Sequence, residues 1–193
     1  MNPKQVFFSS LLQPHLPALK STALRLARSR TDAEDLLQEC FFKAYRSLEQ
    51  FQENTNFKAW IFRILVNTYI TSYRKKARQP QKISYDEIEE HVLYKNILEN
   101  PHFSLTGEEL RTNRHDFDDD VLEALNQLPY PFRLVVLLCD VEGFSYNEIA
   151  QIIHSPLGTV MSRLYRGRKL LQRQLWQYAE NRGYISEATK IKK

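Results

Sequence analysis

The chain has 193 residues, 42% of them hydrophobic and 26% charged, with a formal net charge of +4 at pH 7. That balance suits a folded protein of one medium or two small domains, and two cysteines exclude a disulfide scaffold. No apolar run is long enough to cross a membrane, and MNPKQVFFSSLLQPHLP has neither the charged start, sustained apolar centre nor small-residue cleavage site of a leader, so the expected location is the cytoplasm.

Five glycines, eight prolines and long runs at helical spacing predict an all-α chain. Charge is distributed unevenly along it. Residues 1–78 carry 13 basic and 6 acidic side chains, residues 79–117 carry 4 and 8, and residues 118–193 carry 10 and 9. This pattern predicts two small helical domains, 1–78 and 118–181, joined by a flexible acidic linker at 79–117 and followed by a disordered tail at 182–193. Two basic-faced modules on either side of an acidic spacer suit a polyanion-binding protein with two points of contact.

Pro14 and Pro17 interrupt the first helical run, predicting a short helix and then a longer one from near Pro14 that buries Leu16, Leu19, Ala23, Leu26 and Ala27. Thr31 or Asp32 is the expected cap of the next helix. Its apolar stripe is Ala33, Leu36, Leu37, Cys40, Phe41, Ala44, Tyr45 and Leu48. Glu34, Asp35, Gln38, Glu39 and Lys43 form the other face; the helix dipole accounts for acids in the first turn, but Gln38 and Glu39 lie beyond it.

A polar loop between aromatics, FQENTNF, leads into a helix over 58–78 with Trp60, Ile61, Ile64, Leu65 and Thr68 inward and Arg74, Lys75, Lys76 and Arg78 at its end. Aromatic and amide side chains beside a basic helix compose a surface on which single-stranded bases stack. For Phe57 and Trp60 the spacing fits a core role equally. Beyond the linker, Leu122, Leu125 and Leu128 on one helix and Leu134, Val135, Leu137, Leu138 and Val141 on the next are expected to pack under a third.

That third element is part of GFSYNEIAQIIHSPLGTVMSRLYRGRKLL, a helix-turn-helix signature. Ser145 and Glu148 make a capping box, Ser155 to Gly158 form the break, and Thr159 opens a second helix with Val160, Leu164, Gly167 and Leu171 inward. Its outer arc holds Thr159, Ser162, Arg166, Lys169 and Arg173, with Arg163 at the edge; residues 159–173 contain five basic side chains and no acidic one. Such a helix suits a DNA major groove, although helix pairs with tight turns also occur in bundles that never touch DNA. The helix is expected to continue past Leu175 to about Asn181.

Cys40 and Cys139 each sit in an apolar pattern and read as buried thiols. With no Cys or His close to either, no metal or cofactor site is expected. His154 reads as a capping or surface residue. No nucleophile–base set or phosphate-cradling loop suggests an enzyme.

DAEDLLQECFFKAYRSL, FKAWIFRILVNTYITSYRKK and LNQLPYPFRLVVLLCDVEGFSYNEIAQIIHSPLGTVMSRLYRGRKLL, in that order, resemble regions 2.1–2.2, 2.3–2.4 and 4 of bacterial sigma-70 factors of the extracytoplasmic-function (ECF) group. The resemblance covers about residues 5–180. It implies a promoter-specificity subunit that binds core RNA polymerase through the β′ clamp helices and the β subunit, reads promoter DNA at two elements and helps to open it. By position, Asp35, Leu36, Gln38 and Glu39 would dock on β′. Asn54, Thr55, Asn56, Phe57, Trp60, Arg63, Asn67, Arg74 and Lys75 would serve the minus-10 element, and Tyr146, Thr159, Met161, Ser162, Arg163, Tyr165, Arg166 and Lys169 the minus-35 element. Many relatives have Lys or Arg where this chain has Met161. GTVMSRLYRGR, NTYITSYRKKARQPQ and YAENRGY look closest to the SigR/SigH-like branch, implying a zinc-containing, redox-sensitive anti-sigma partner. A stand-alone helix-turn-helix regulator of duplex DNA is the alternative reading.

Overall fold

The computed structural model describes residues 3–52, 55–78 and 119–183, with backbone alone at 74–78 and 177. Among these residues every regular element is helical. They form two compact units, the first made of the described residues up to 78 with 151–154 and the second of 119–150 with 155–183. Asn54, the expected linker at 79–117 and residues 184–193 of the expected tail lie outside the described residues.

In the first unit, α1 (Pro3–Leu12) passes through one 3-10 turn, Gln13–His15, into α2 (Leu16–Ala27). The turn displaces the start of the longer helix from Pro14 to Leu16, where Pro17 occupies the first turn and needs no N–H partner. Arg28 closes α2 in the left-handed region at φ 63, donating its N–H to Leu24 O at 2.9 Å. The chain then re-enters helix at α3 (Arg30–Arg46). Its cap is Ser29, not Thr31 or Asp32: Ser29 is extended, and its hydroxyl accepts from the Asp32 N–H at 3.4 Å. With the chain already turned by Arg28, the first serine past the bend is in the capping position.

Helix α4 (Phe57–Arg78) follows a second 3-10 turn, Leu48–Gln50. Asn56 caps it, Oδ1 accepting from the Ala59 N–H at 3.1 Å. Helices α2, α3 and α4 pack on one another. Leu19, Ala23, Leu37, Cys40, Ala44, Ile61, Phe62, Leu65 and Val66 are buried completely or nearly so. Phe62 and Val66 lie in this core where Trp60 and Ile64, named from the spacing, are only partly covered.

In the second unit α5 (Asp119–Gln127) and α6 (Tyr130–Val136) precede a wide turn, Leu137–Val141, whose ladder runs i to i−5, with Glu142 N–H bonded to Leu137 O at 3.0 Å. Six consecutive residues, Arg133 to Leu138, are buried there. Helix α8 (Leu157–Gln174) packs on α6, and Gly167 marks the crossing. A Cβ added to it would stand 2.9 Å from Val136 Cγ2 and 3.3 Å from Phe132 Cβ. The helix stops at Leu175 and restarts as α9 (Trp176–Asn181), so the expected continuous run is broken once.

Candidate nucleic-acid interface

Helix α7 (Tyr146–Ile152) begins with the expected capping box. Glu148 N–H donates to Ser145 Oγ at 3.3 Å, and Ser145 N–H donates back to Glu148 Oε2 at 2.8 Å. The helix ends on His154, which is exposed and left-handed at φ 48, and Ser155 N–H reaches back to Ala150 O at 3.0 Å. That six-to-one bond is the Schellman closure usually built on glycine. Because His154 makes the reversal, the second helix starts at Leu157, two residues before the expected Thr159. Pro156 is its cap, and Gly158 lies within its first turn.

Val160, Leu164 and Gly167 of α8 are buried, as the spacing predicts, and Leu171 is half-buried. Ser162, Arg166, Lys169 and Arg173 are exposed, while Thr159 and Arg163 are half-buried at the edges. Three large apolar side chains also stand in solvent on successive turns: Leu157 at 42% exposure, Met161 at 52% and Tyr165 at 68%. Tyr146 is exposed beside them.

Sequence reasoning did not single out Arg168. Its guanidinium meets the Asp140 carboxylate through two nitrogens, Nε at 3.1 Å and Nη2 to the second oxygen, and Nη1 donates to Tyr146 Oη at 3.3 Å. It thereby ties α8 to the wide turn and to the first residue of α7. Cys139 Sγ accepts from the same guanidinium at 3.4 Å. Cys139 is only half-buried, not the fully buried thiol expected; that partial burial, then the Asp140 carboxylate, pushes its thiol pKa up. Cys40 is fully buried, as expected.

On α3, Asp35 and Glu39 are exposed and Gln38 is half-buried, but Leu36 belongs to the core. Glu39 is already engaged by Lys43 Nζ at 2.6 Å, one turn on, which accounts for part of what the dipole leaves unexplained. At the start of α4, Phe57 is 7% exposed, so it is a core residue. It packs edge-on against Phe51, stacks with His15 at 5.8 Å and meets the half-exposed Trp60 at 5.5 Å. Trp60, Arg63 and Asn67 share one face of α4, with Arg63 exposed. Thr55 and Asn56 are exposed, although Asn56 Oδ1 is occupied by the cap and Thr55 Oγ1 donates to Gln52 O at 2.7 Å. Arg74 and Lys75 lie on the last turns of α4, where only the backbone is described.

Residues 11–79 match the family Sigma-70 region 2, and residues 118–171 match Sigma-70, region 4. The ECF RNA polymerase sigma-E factor of Escherichia coli (strain K12) is 33% identical over 148 residues, spanning 75% of this chain and 74% of that protein. The ECF RNA polymerase sigma factor SigE of Mycolicibacterium smegmatis is 33% identical over 175 residues, 89% of this chain; the match spans 63% of that protein's length. Among solved structures, the sigma factor RpoE of Bartonella quintana, in complex with the anti-sigma factor NepR, aligns with a TM-score of 0.63 at 29% identity, covering 87% of this chain and 96% of that one.

Two helical units carrying regions 2 and 4 in order define a member of the sigma-70 family, a family of transcription initiation factors. Within it, the chain belongs to the ECF RNA polymerase sigma factors.

Proposed function

We propose that this chain is the promoter-specificity subunit of a bacterial RNA polymerase, binding core enzyme, reading a minus-35 element with α8 and a minus-10 element with the start of α4, and assisting strand opening without catalysis of its own. The observation that carries the reading is the pairing, in one chain, of region 2 and region 4 units with a basic, acid-free helix α8 turned to solvent in the second. Such a helix supplies phosphate contacts that position and base contacts that specify.

In this reading Asp35, Gln38 and Glu39 meet the β′ clamp helices, and Leu36 acts only by holding α3 in place. Thr55, Trp60, Arg63 and Asn67 face the minus-10 strand and Phe57 supports Trp60 from below; Asn54, Arg74 and Lys75 are assigned to the same element by their place in the sequence. Residues 1–78 and 118–181 are the working domains and 79–117 the connection between them. Work on polymerase places the protein in the cytoplasm. An anti-sigma factor holds it inactive, a reading supported by the NepR-bound relative. Three motifs, GTVMSRLYRGR, NTYITSYRKKARQPQ and YAENRGY, support the SigR/SigH-like branch and so a zinc-containing inhibitor whose own thiols sense oxidation.

The test is reconstitution. Purified chain added to core polymerase gives a defined start site in run-off transcription, and Gln38→Ala with Glu39→Ala weakens core binding while leaving the fold intact. Tight operator binding by the chain alone, with no response to core enzyme, would instead establish a stand-alone regulator.

A further inference from the structure

We propose that Met161, backed by Leu157, reads a thymine of the upstream promoter element by packing on its C5 methyl group. The inference rests on the assignment of α8 as the minus-35 reader and specifies what the front half of that helix recognises. Recognition helices present their N-terminal residues to base edges. In this chain few of those residues hold a side-chain donor out in solvent. Gly158 has no side chain, Thr159 and Arg163 are half-buried at the edges, and the exposed Ser162 hydroxyl donates to Thr159 O at 3.1 Å. The first charged side chain fully in solvent is Arg166, in the third turn.

The large side chains that the front half exposes are apolar. Leu157 and Met161 are one turn apart, and Met161, Tyr165 and Tyr146 line an open depression of about 550 Å3. The major groove displays one apolar group, the thymine methyl, on which a thioether or branched chain can close out water. An unbranched methionine adjusts to that contact at little strain. Charge commits this face to DNA: residues 157–174 carry five basic side chains and no acidic one, and with Arg168 paired to Asp140 the remaining four, Arg163, Arg166, Lys169 and Arg173, flank the apolar stripe and match a polyanion.

The experiment uses holoenzyme made from the full chain and core polymerase. A preferred upstream element is first selected from randomised duplexes, and each thymine in it is then replaced by deoxyuridine, which removes only the methyl. Loss of one buried methyl corresponds to about a threefold to fivefold loss of affinity. That loss is expected at one or two adjacent positions for the unaltered chain and is absent in Met161→Ala, while Arg166→Ala keeps it. Met161→Ala keeps its fold because the side chain is exposed, which a thermal melt verifies. Selection of an element indifferent to deoxyuridine, or a methyl effect that survives in Met161→Ala, would overturn the inference and leave the sigma-factor reading standing. Unchanged promoter affinity in Met161→Ala, with weakened binding of an inhibitor protein, would overturn it in favour of a protein partner. If no element is selected at all, both readings fail.

Discussion

Gly167 stands at the crossing of α8 and α6, where the β-branched Val136 has no freedom to yield. Gly167→Ala is therefore expected to destabilise the second unit by about 1–3 kcal/mol in chemical denaturation, whereas the exposed Arg166→Ala shifts it by less than about 0.5 kcal/mol. His15 gives the first unit a pH dependence. Burial, and then the nearby Lys58 ammonium, hold its imidazole below the usual 6.5, so the unfolded chain binds a proton that the folded unit refuses. Stability is fully present above pH 6.5 and declines as pH falls toward the lower folded value. His15→Gln should flatten that slope in urea titrations at stepped pH. Glu49 acts in a separate window, since its hydrogen bond to Lys4 lowers its pKa from 4.5 and gives stability that disappears only in stronger acid. The inward place of Gly167 was legible from its spacing against Val160 and Leu164. Arg168 was not, because its partners Asp140 and Tyr146 lie 28 and 22 residues away and no local pattern links them.

At the scale of elements, the α7–α8 pair depends on two terminal devices of opposite sign. The reciprocal Ser145–Glu148 bonds start α7, and Ser145→Ala should lower stability by about 1 kcal/mol. His154 ends α7 in a conformation that side chains resist, so His154→Gly is expected to raise stability by roughly 0.5–1 kcal/mol, measured as a higher denaturation midpoint. The box was readable from composition and spacing alone. The position of the break was not: glycine in Ser155 to Gly158 drew the turn toward Gly158, while the backbone placed the left-handed residue at His154 and used the glycine as an ordinary helical residue. Ser29 illustrates the same limit. Ser29, Thr31 and Asp32 all have capping side chains, and only the left-handed Arg28 decides between them. Phe57 and Trp60 shared a periodicity that left both roles open, and tertiary packing separated them into a core ring and a partly exposed one.

For the molecule as a whole, the separation into two units with distinct family matches predicts modular behaviour. Grafting residues 118–181 onto the first unit of an ECF relative should transfer this chain's upstream preference in run-off competition and leave the relative's affinity for core enzyme within about twofold, a change below about 0.5 kcal/mol. The division into two helical bodies was visible in the alternation of a basic, a shorter acidic and a near-neutral segment. Helix α8 joins the scales through its asymmetry. One flank is pinned so closely against α6 that a single methyl disturbs it; the other, Arg168 aside, turns most of its side chains to solvent. On the proposed reading, exchange of a few outward side chains redirects such a factor to new genes with little cost to the scaffold, while the same number of changes on the inner flank would remove the factor altogether.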